Sequence, residues 1–287
     1  MVRIITDTSS MYTVAQGAEL GVTVVPLTLT IAGKSYRELE EISYAEFKKL
    51  IDEGHIPTSS QPAVGEVLEV YETATAENPV LHITLADGLS GAYQSAMGIR
   101  ESLENKEHIT VFHSGTLCTP QWVMVRVAKE MADKGHTVEE ILKVLNEIKD
   151  DDKSYMIPQD FDYLRRGGRL APTAAKVGSI LKLTPVMTLS ADDRQIEKAG
   201  MTRGLPKAID KVAEGFKNHG VTGEKHMITV AHSSCPEDAQ LAIEKLSKAF
   251  PDCKITLFEL TPVLTTQSGP RCVSIQSMLD PDKNKLY

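Results

Sequence analysis

Pro79-Val80-Leu81-His82-Ile83-Thr84-Leu85-Ala86-Asp87-Gly88-Leu89-Ser90-Gly91-Ala92-Tyr93-Gln94-Ser95-Ala96 reads as a strand, a turn and the start of a helix. Residues 79–85 are short, apolar and rich in β-formers, the pattern of a buried strand. Residues 93–105 carry helix formers at a helical period. The turn between them points free backbone N–H groups at whatever lies above it, and the helix dipole favours an anion there. Ser90 adds a hydroxyl, and Gly91 lacks the Cβ that would block close approach. The stretch is therefore a site for a carboxylate or phosphate, or for a nucleophilic serine.

Outward from this stretch, strand-like runs alternate with helical ones. Strands are expected over 3–6, 22–31 with a break at Pro26, and 109–112, with a hairpin turn at Gly33-Lys34 leading into Ser35-Tyr36. Ser43 and Glu46 have capping-box spacing and open a helix that runs to about Gly54. Further helices are expected over 62–75, 120–134 and 137–149, with Gly135 ending the second of these. The acidic stretch Lys149-Asp150-Asp151-Asp152-Lys153 marks a junction, after which the pattern restarts. Strands over 154–157, 185–190, 196–201, 227–231, 254–259 and 273–279 alternate with helices over 161–166, 172–182, 205–218 and 236–250. The fold class that follows is α/β, with two α/β domains over 1–152 and 153–287.

The chain has 287 residues, 41% of them hydrophobic, and a formal charge of −8. That balance suits a globular protein with a proper core and argues against nucleic acid or an anionic membrane surface as partner. The four cysteines, Cys118, Cys235, Cys253 and Cys272, have no zinc-like spacing and read as reduced thiols, so no metal site is expected. No apolar run is long enough to span a bilayer, and the N-terminus leads straight into a strand. The expected location is cytoplasmic, with no integral membrane segment.

Three further clusters carry chemistry. Thr58-Ser59-Ser60-Gln61-Pro62 places hydroxyls and an amide in a loop before a helix, either as N-cap residues or as a polar cradle facing the Ser90 turn. Thr265-Thr266-Gln267-Ser268-Gly269-Pro270 is a hydroxyl-rich loop before the last strand, readable also as an ordinary turn. Leu164-Arg165-Arg166-Gly167-Gly168-Arg169-Leu170 sets paired glycines among arginines, either as a helix C-cap or as an anion or partner site. His82 reads as structural, His113 and His232 as strand-end residues, and Trp122, Met124 and Met131 as core contacts of an amphipathic helix.

In this order and spacing the clusters resemble the DegV family of bacterial lipid-binding proteins, which includes the fatty-acid-carrying subunit of the fatty acid kinase system. The likeness runs along nearly the whole chain. It takes in Ile5-Thr6-Asp7-Thr8-Ser9, residues 25–31, Ser59-Ser60-Gln61-Pro62, residues 89–96, residues 164–170 and Thr202-Arg203. The resemblance implies a DegV-like (EDD-type) N-terminal α/β domain with the head-group loops, and a second α/β domain holding most of an acyl tunnel. One long-chain fatty acid is the implied ligand, with its carboxylate emerging between the domains, and no cofactor is implied. Carried over by position, Ser59, Ser90 and the Gly91 N–H bind the carboxylate, Ser60 supports the loop, and Gln267 and Ser268 complete the network. Arg203 matches a position linked to docking on a partner kinase; Arg169 and Arg271 are implied head-group or partner contacts. The chain would then be a carrier rather than an enzyme. It departs from the family pattern at Gln267, where a histidine is usual, at Arg271, where a glycine is usual, and at His113-Ser114 in place of Asp-Ser. Gln267 donates through its amide but does not titrate.

Two rivals are enzymatic. Gly88-Leu89-Ser90-Gly91-Ala92 approaches a nucleophile elbow, which would make the chain a serine hydrolase or esterase with His232 as base and Asp7 or Asp87 as orienter. A sugar or triose-phosphate kinase would share a related architecture, but the chain has no Walker-type loop and no dense acidic metal cluster.

Overall fold

The computed structural model describes residues 1–175 and 183–287. The expected helix over 172–182 is described only as Pro172–Ala175, and its remainder lies outside the described residues. The chain forms two compact units, one comprising Met1–Glu147 with Thr261–Val263, the other Ile148–Leu260 with Leu264–Tyr287.

The first unit is built on strands β1 (Arg3–Asp7), β2 (Thr23–Val25), β3 (Thr28–Ile31), β4 (Lys34–Arg37), β5 (Thr58–Ser60), β6 (Val80–Thr84) and β7 (Ile109–His113). Four of these make a parallel sheet in the order β2-β1-β6-β7. All five residues of β6 are buried, as a parallel strand with both faces covered must be. On one face, Val67 and Tyr71 of helix Val64–Glu72 and Ala96 and Ile99 of helix Ala92–Glu101 join Ile5, Val80 and Ile109 in a single core. Helix Thr119–Asp133 also packs against β1 and β6. The winding reverses between β1 and β6, so the crevice beyond their carboxyl ends is the natural ligand position in such a sheet. Asp7-Thr8-Ser9 leaves β1 at that edge, and the Ser90 turn leaves β6 there.

The other three strands form an antiparallel sheet in the order β4-β3-β5. The β3–β4 hairpin turns on Ala32 and Gly33, both at positive φ (51° and 75°), as its two-residue loop requires. The strand expected over 22–31 breaks at Pro26 as expected, and its two halves, β2 and β3, lie in two different sheets. Residues 58–60, expected as loop, are a strand because β3 offers them a ladder, with Ser59 opposite Leu29 and Ser60 opposite Thr28. The following helix starts at Val64 behind an Ala63 N-cap that makes no side-chain bond, so the hydroxyls of 58–60 are not its caps.

The second unit holds β8 (Lys153–Ile157), β9 (Thr184–Leu189), β10 (Ile196–Thr202), β11 (His226–His232), β12 (Lys254–Glu259) and β13 (Val273–Leu279), in the sheet order β10-β9-β8-β13-β11-β12. Only β11 and β12 pair in parallel; the other neighbours are antiparallel. Helices Leu205–His219 and Pro236–Ala249 bury Val212, Phe216, Ala242 and Leu246 against Ile157, Ile228 and Ile275. Residues 265–268, expected as loop, lie in helix Pro262–Ser268, with proline in its first turn.

Candidate functional site

In the first unit the strand–turn–helix reading of residues 79–96 holds. β6 ends at Thr84, Leu89 N–H donates to the Ala86 carbonyl (3.0 Å), and helix Ala92–Glu101 begins directly after Gly91. Ser90 Oγ accepts the Ala92 N–H at 3.2 Å. This contact uses an oxygen lone pair, so the hydroxyl proton remains to be given to an anion at the helix N-terminus. Gly91 has φ −72°, which any residue adopts. Its lack of a side chain serves space: a Cβ there would sit 2.7 Å from Gln61 Oε1. The fold thus brings the Ser59-Ser60-Gln61-Pro62 motif and the Ser90 turn together through the Gln61 amide.

Strand geometry separates the two serines of that motif. Successive side chains of β5 point to opposite faces. Ser59 is half-buried on the face it shares with its cross-strand partner Leu29; Ser60 is exposed on the other. His113, where the resemblance expects an aspartate, ends β7 with its ring 5.6 Å from that of Tyr93 in the Ser90 helix. Ser114 is buried and donates to the Thr116 carbonyl at 3.0 Å.

The same unit holds two fully buried carboxyl groups, Asp7 at the end of β1 and Glu38 directly after β4. Asp7 Oδ1 accepts from the Ser9 N–H (2.8 Å) and lies against the Ser9 hydroxyl, which also meets Gln121 Oε1 at 2.8 Å. A serine has one proton for these two acceptors, so the arrangement closes when Asp7 is itself protonated and donates to Ser9. Burial pushes Asp7 up to about 6, against the pull of the Ser9 hydrogen bonds. Glu38 is pushed up to about 7, again by burial. It bonds the Thr8 hydroxyl and accepts the Val263 N–H at 2.6 Å. Glu38 thereby fixes the first turn of helix Pro262–Ser268, which explains a helix where the local sequence reads as loop.

In the second unit the Gly167 turn and residues 265–271 meet. Phe161–Gly167 is a helix ended by Gly168 in the left-handed conformation (φ 71°). A Cβ on Gly167 would overlap Gln267 Oε1, and Arg169 bonds the Gly167 carbonyl on the same turn. Ser268 is buried, with its hydroxyl 3.3 Å from that of Ser233. Arg271 stands apart from this cluster: its side chain is exposed, bonded to Asp238 at 2.6 Å. Its φ is 58°, in the region that favours glycine, a physical reason for a glycine to be usual there. Arg203 is exposed on the turn between β10 and helix Leu205–His219.

Comparison with known proteins agrees with this architecture. The family model described as "Uncharacterised protein, DegV family" matches residues 1–279. The chain belongs to the DegV family. A DegV domain-containing protein of Listeria innocua is 31% identical over 271 residues, covering 93% of this chain and 95% of the relative. The solved structure described as "Fatty Acid Binding of a DegV family Protein from Thermus thermophilus" superposes with a TM-score of 0.86 at 28% identity, over 97% of this chain and 99% of that one. Bacillus subtilis DegV, described as a fatty acid binding protein, gives a TM-score of 0.83 at 27% identity, over 97% of this DegV chain and 99% of the other.

The hydrolase alternative finds no support. Among the described residues no base takes the Ser90 proton. Asp7 is bound to Ser9, Asp87 accepts from Gln94 at 3.0 Å, and His232 Nδ1 accepts the Cys235 N–H at 3.2 Å, as a strand-end cap. His82 is buried against the Tyr71 hydroxyl at 2.7 Å, a structural histidine as expected. No helix among the described residues is long and apolar enough to cross a membrane.

Glu38, Gln61 as the contact to Gly91, and Ser233 were not marked by sequence reasoning. Glu38 sits in the charged run Arg37-Glu38-Leu39-Glu40-Glu41, where nothing local separates a buried carboxylate from solvated ones. Gln61 carried a signal in its motif, though its partner did not. Ser233 carried none.

Proposed function

We propose that this chain binds one long-chain fatty acid, buries the acyl tail and presents the carboxylate to a partner fatty acid kinase, without being the kinase itself. The observation that carries the reading is the Ser90 hydroxyl: its oxygen is occupied by the Ala92 N–H and its proton is available at a helix N-terminus. Ser59 and the Gly91 N–H are the further ligands in this unit, with Ser60 supporting the strand from its outer face. Gln267 and Ser268 are head-group ligands from the helix that starts at Pro262. Hydroxyls and N–H groups hold a carboxylate by charge-assisted hydrogen bonds without a buried counter-ion. The tail, at about 0.8 kcal/mol per buried CH₂, supplies most of the affinity. Its tunnel lies mostly in the C-terminal domain, residues 153–287, in this reading. The relatives from Thermus thermophilus and Bacillus subtilis, described as binding fatty acid, support the choice of ligand.

Arg203, exposed, is the proposed contact to the kinase, and Arg169, beside Gly167, a head-group or partner contact. Arg271 is assigned to the partner side, since its guanidinium is exposed and paired with Asp238. The protein acts in the cytoplasm, where such a kinase would work.

Denaturing the purified protein, extracting it with organic solvent and determining the mass of the extract tests the reading. About one fatty acid per chain is expected, and Ser90→Ala should weaken fatty-acid affinity by about tenfold, as for loss of a hydrogen bond to a charged group. A folded protein that yields no lipid and takes up none overturns it.

A further inference from the structure

Ser233 follows the last residue of β11 and is fully buried. Its backbone is held on both sides: its N–H donates to the Cys272 carbonyl at 3.0 Å, and its carbonyl accepts the Arg271 N–H at 2.9 Å. Its hydroxyl lies 3.2 Å from that of Thr265 and 3.3 Å from that of Ser268. Ser268 also lies 3.3 Å from the Gly269 carbonyl, onto which its hydroxyl donates.

Each of these hydroxyls has one proton. While Ser268 gives its proton to Gly269, none is left for a ligand. Turning that proton onto a carboxylate leaves the buried Ser268 oxygen in need of a donor, and Ser233 lies at that distance. Ser233 in turn can accept from Thr265. The three O–H groups then point the same way, each polarising the next, and end on the anion.

We infer that Ser233 is a positioning residue for the fatty-acid head group, aiming the Ser268 hydroxyl at the carboxylate through the chain Thr265–Ser233–Ser268. This rests on the reading above, in which Ser268 is a head-group ligand. The chain favours a charged acceptor over an uncharged ester on the same acyl tail. Ser233 thus sets selectivity for the free acid without touching it.

Delipidated full-length protein titrated with oleic acid and with methyl oleate reads that selectivity as a ratio of affinities. Ser233→Ala is expected to lower the acid-over-ester ratio by about fivefold, the size of one ordinary hydrogen bond. Ester affinity and melting temperature should stay near wild type, readouts that a merely structural role would move. Ser268→Ala should lower the ratio at least as far, and adding Ser233→Ala to it should change nothing more. Thr265→Val, which cuts the chain at its other end, should move the ratio in the same direction. A wild-type ratio in Ser233→Ala, or effects of Ser233→Ala and Ser268→Ala that multiply, overturns the inference. A wild-type protein that binds neither probe overturns the fatty-acid reading, and this inference with it.

Discussion

In each unit a glutamine amide lies across a glycine at the end of a helix, yet the two contacts differ in nearly every other respect. Gln61 meets Gly91 at the N-terminus of helix Ala92–Glu101, where the dipole attracts an anion and Ser90 holds a proton to give. Gln267 meets Gly167 at the C-terminal end of helix Phe161–Gly167, where the dipole repels an anion and Arg165, Arg166 and Arg169 supply opposing charge. Gln61 is half-buried at the end of an edge strand; the Gln267 Oε1 is fully enclosed. The first unit also holds two buried carboxyl groups, while beside the second contact lie neutral hydroxyls. The same side chain on the same glycine thus positions a donor in one unit and fixes a turn in the other.

Ionisation is the sharpest way to separate the two. Asp7 and Glu38 stand at about 6 and about 7 in the folded chain, above their ordinary values of 3.8 and 4.5. Their protonated forms are the ones the fold favours, so that stability is complete below about pH 4 and lost as pH rises through 6 and 7. Urea melts of the wild type should lose on the order of a few kcal/mol between about pH 5 and pH 8. His226, raised by its hydrogen bond to Asp151 in the second unit, adds a loss of the same sign. Asp7→Asn keeps the shape without the charge and leaves that histidine in place. Its melts should lose about 1 kcal/mol less between pH 5 and pH 7 than the wild type, the rest of the loss belonging to Glu38 and His226; parallel curves would break the contrast.

Substitution at the two glycines comes next in size. Gly91→Ala has a compatible backbone, and its Cβ displaces only the end of a half-buried glutamine. Fatty-acid affinity should fall by about fivefold with little change in melting temperature, because the donor turn is disturbed and the core is not. Gly167→Ala gains helix propensity but displaces the enclosed amide of Gln267, a proposed head-group ligand, so it should cost about 1 kcal/mol of stability and also weaken affinity by about fivefold. Calorimetry of both variants decides this: a stability loss confined to Gly167→Ala is the expected difference, and an unchanged affinity in Gly167→Ala would remove Gln267 from the head-group ligands. The smallest effect belongs to Arg271→Gly. It relieves a left-handed φ of 58° and gives up a largely exposed ion pair, two terms of about 1 kcal/mol that nearly cancel. A melting temperature shifted by more than about 4 °C would mean that the Asp238 pair matters more than its exposure allows.

The regular elements were legible because their signals are local. Residues 79–85 are apolar and β-rich, Ser43 and Glu46 have capping-box spacing, and both resolve as expected: a buried strand, and a helix with both halves of the box formed. The two loops that proved to be elements are held by distant partners. Thr58–Ser60 is a strand only because β3 is there to pair with it, and Pro262–Ser268 is a helix whose first turn is held by Glu38. Of the candidate site, the motif residues were visible, and so was the approach of something to Gly91. That the approaching group is the Gln61 amide, and that Asp7 and Glu38 are buried rather than solvated, depends on packing that no local pattern encodes.

The bond from the Val263 N–H to Glu38 spans 225 residues of chain. Val263 itself packs in a cluster with Leu27, Leu29, Ile31, Ile42 and Phe47, and Glu38 is fully buried. During synthesis that carboxyl must wait, desolvated or exposed, until residue 263 has left the ribosome, long after residues 1–147 are complete. A loop of that length closes late, and the unit it completes is first to begin and among the last to finish. The beginning of this protein is therefore finished by its end, and an N-terminal fragment would carry an unanswered acid at its heart.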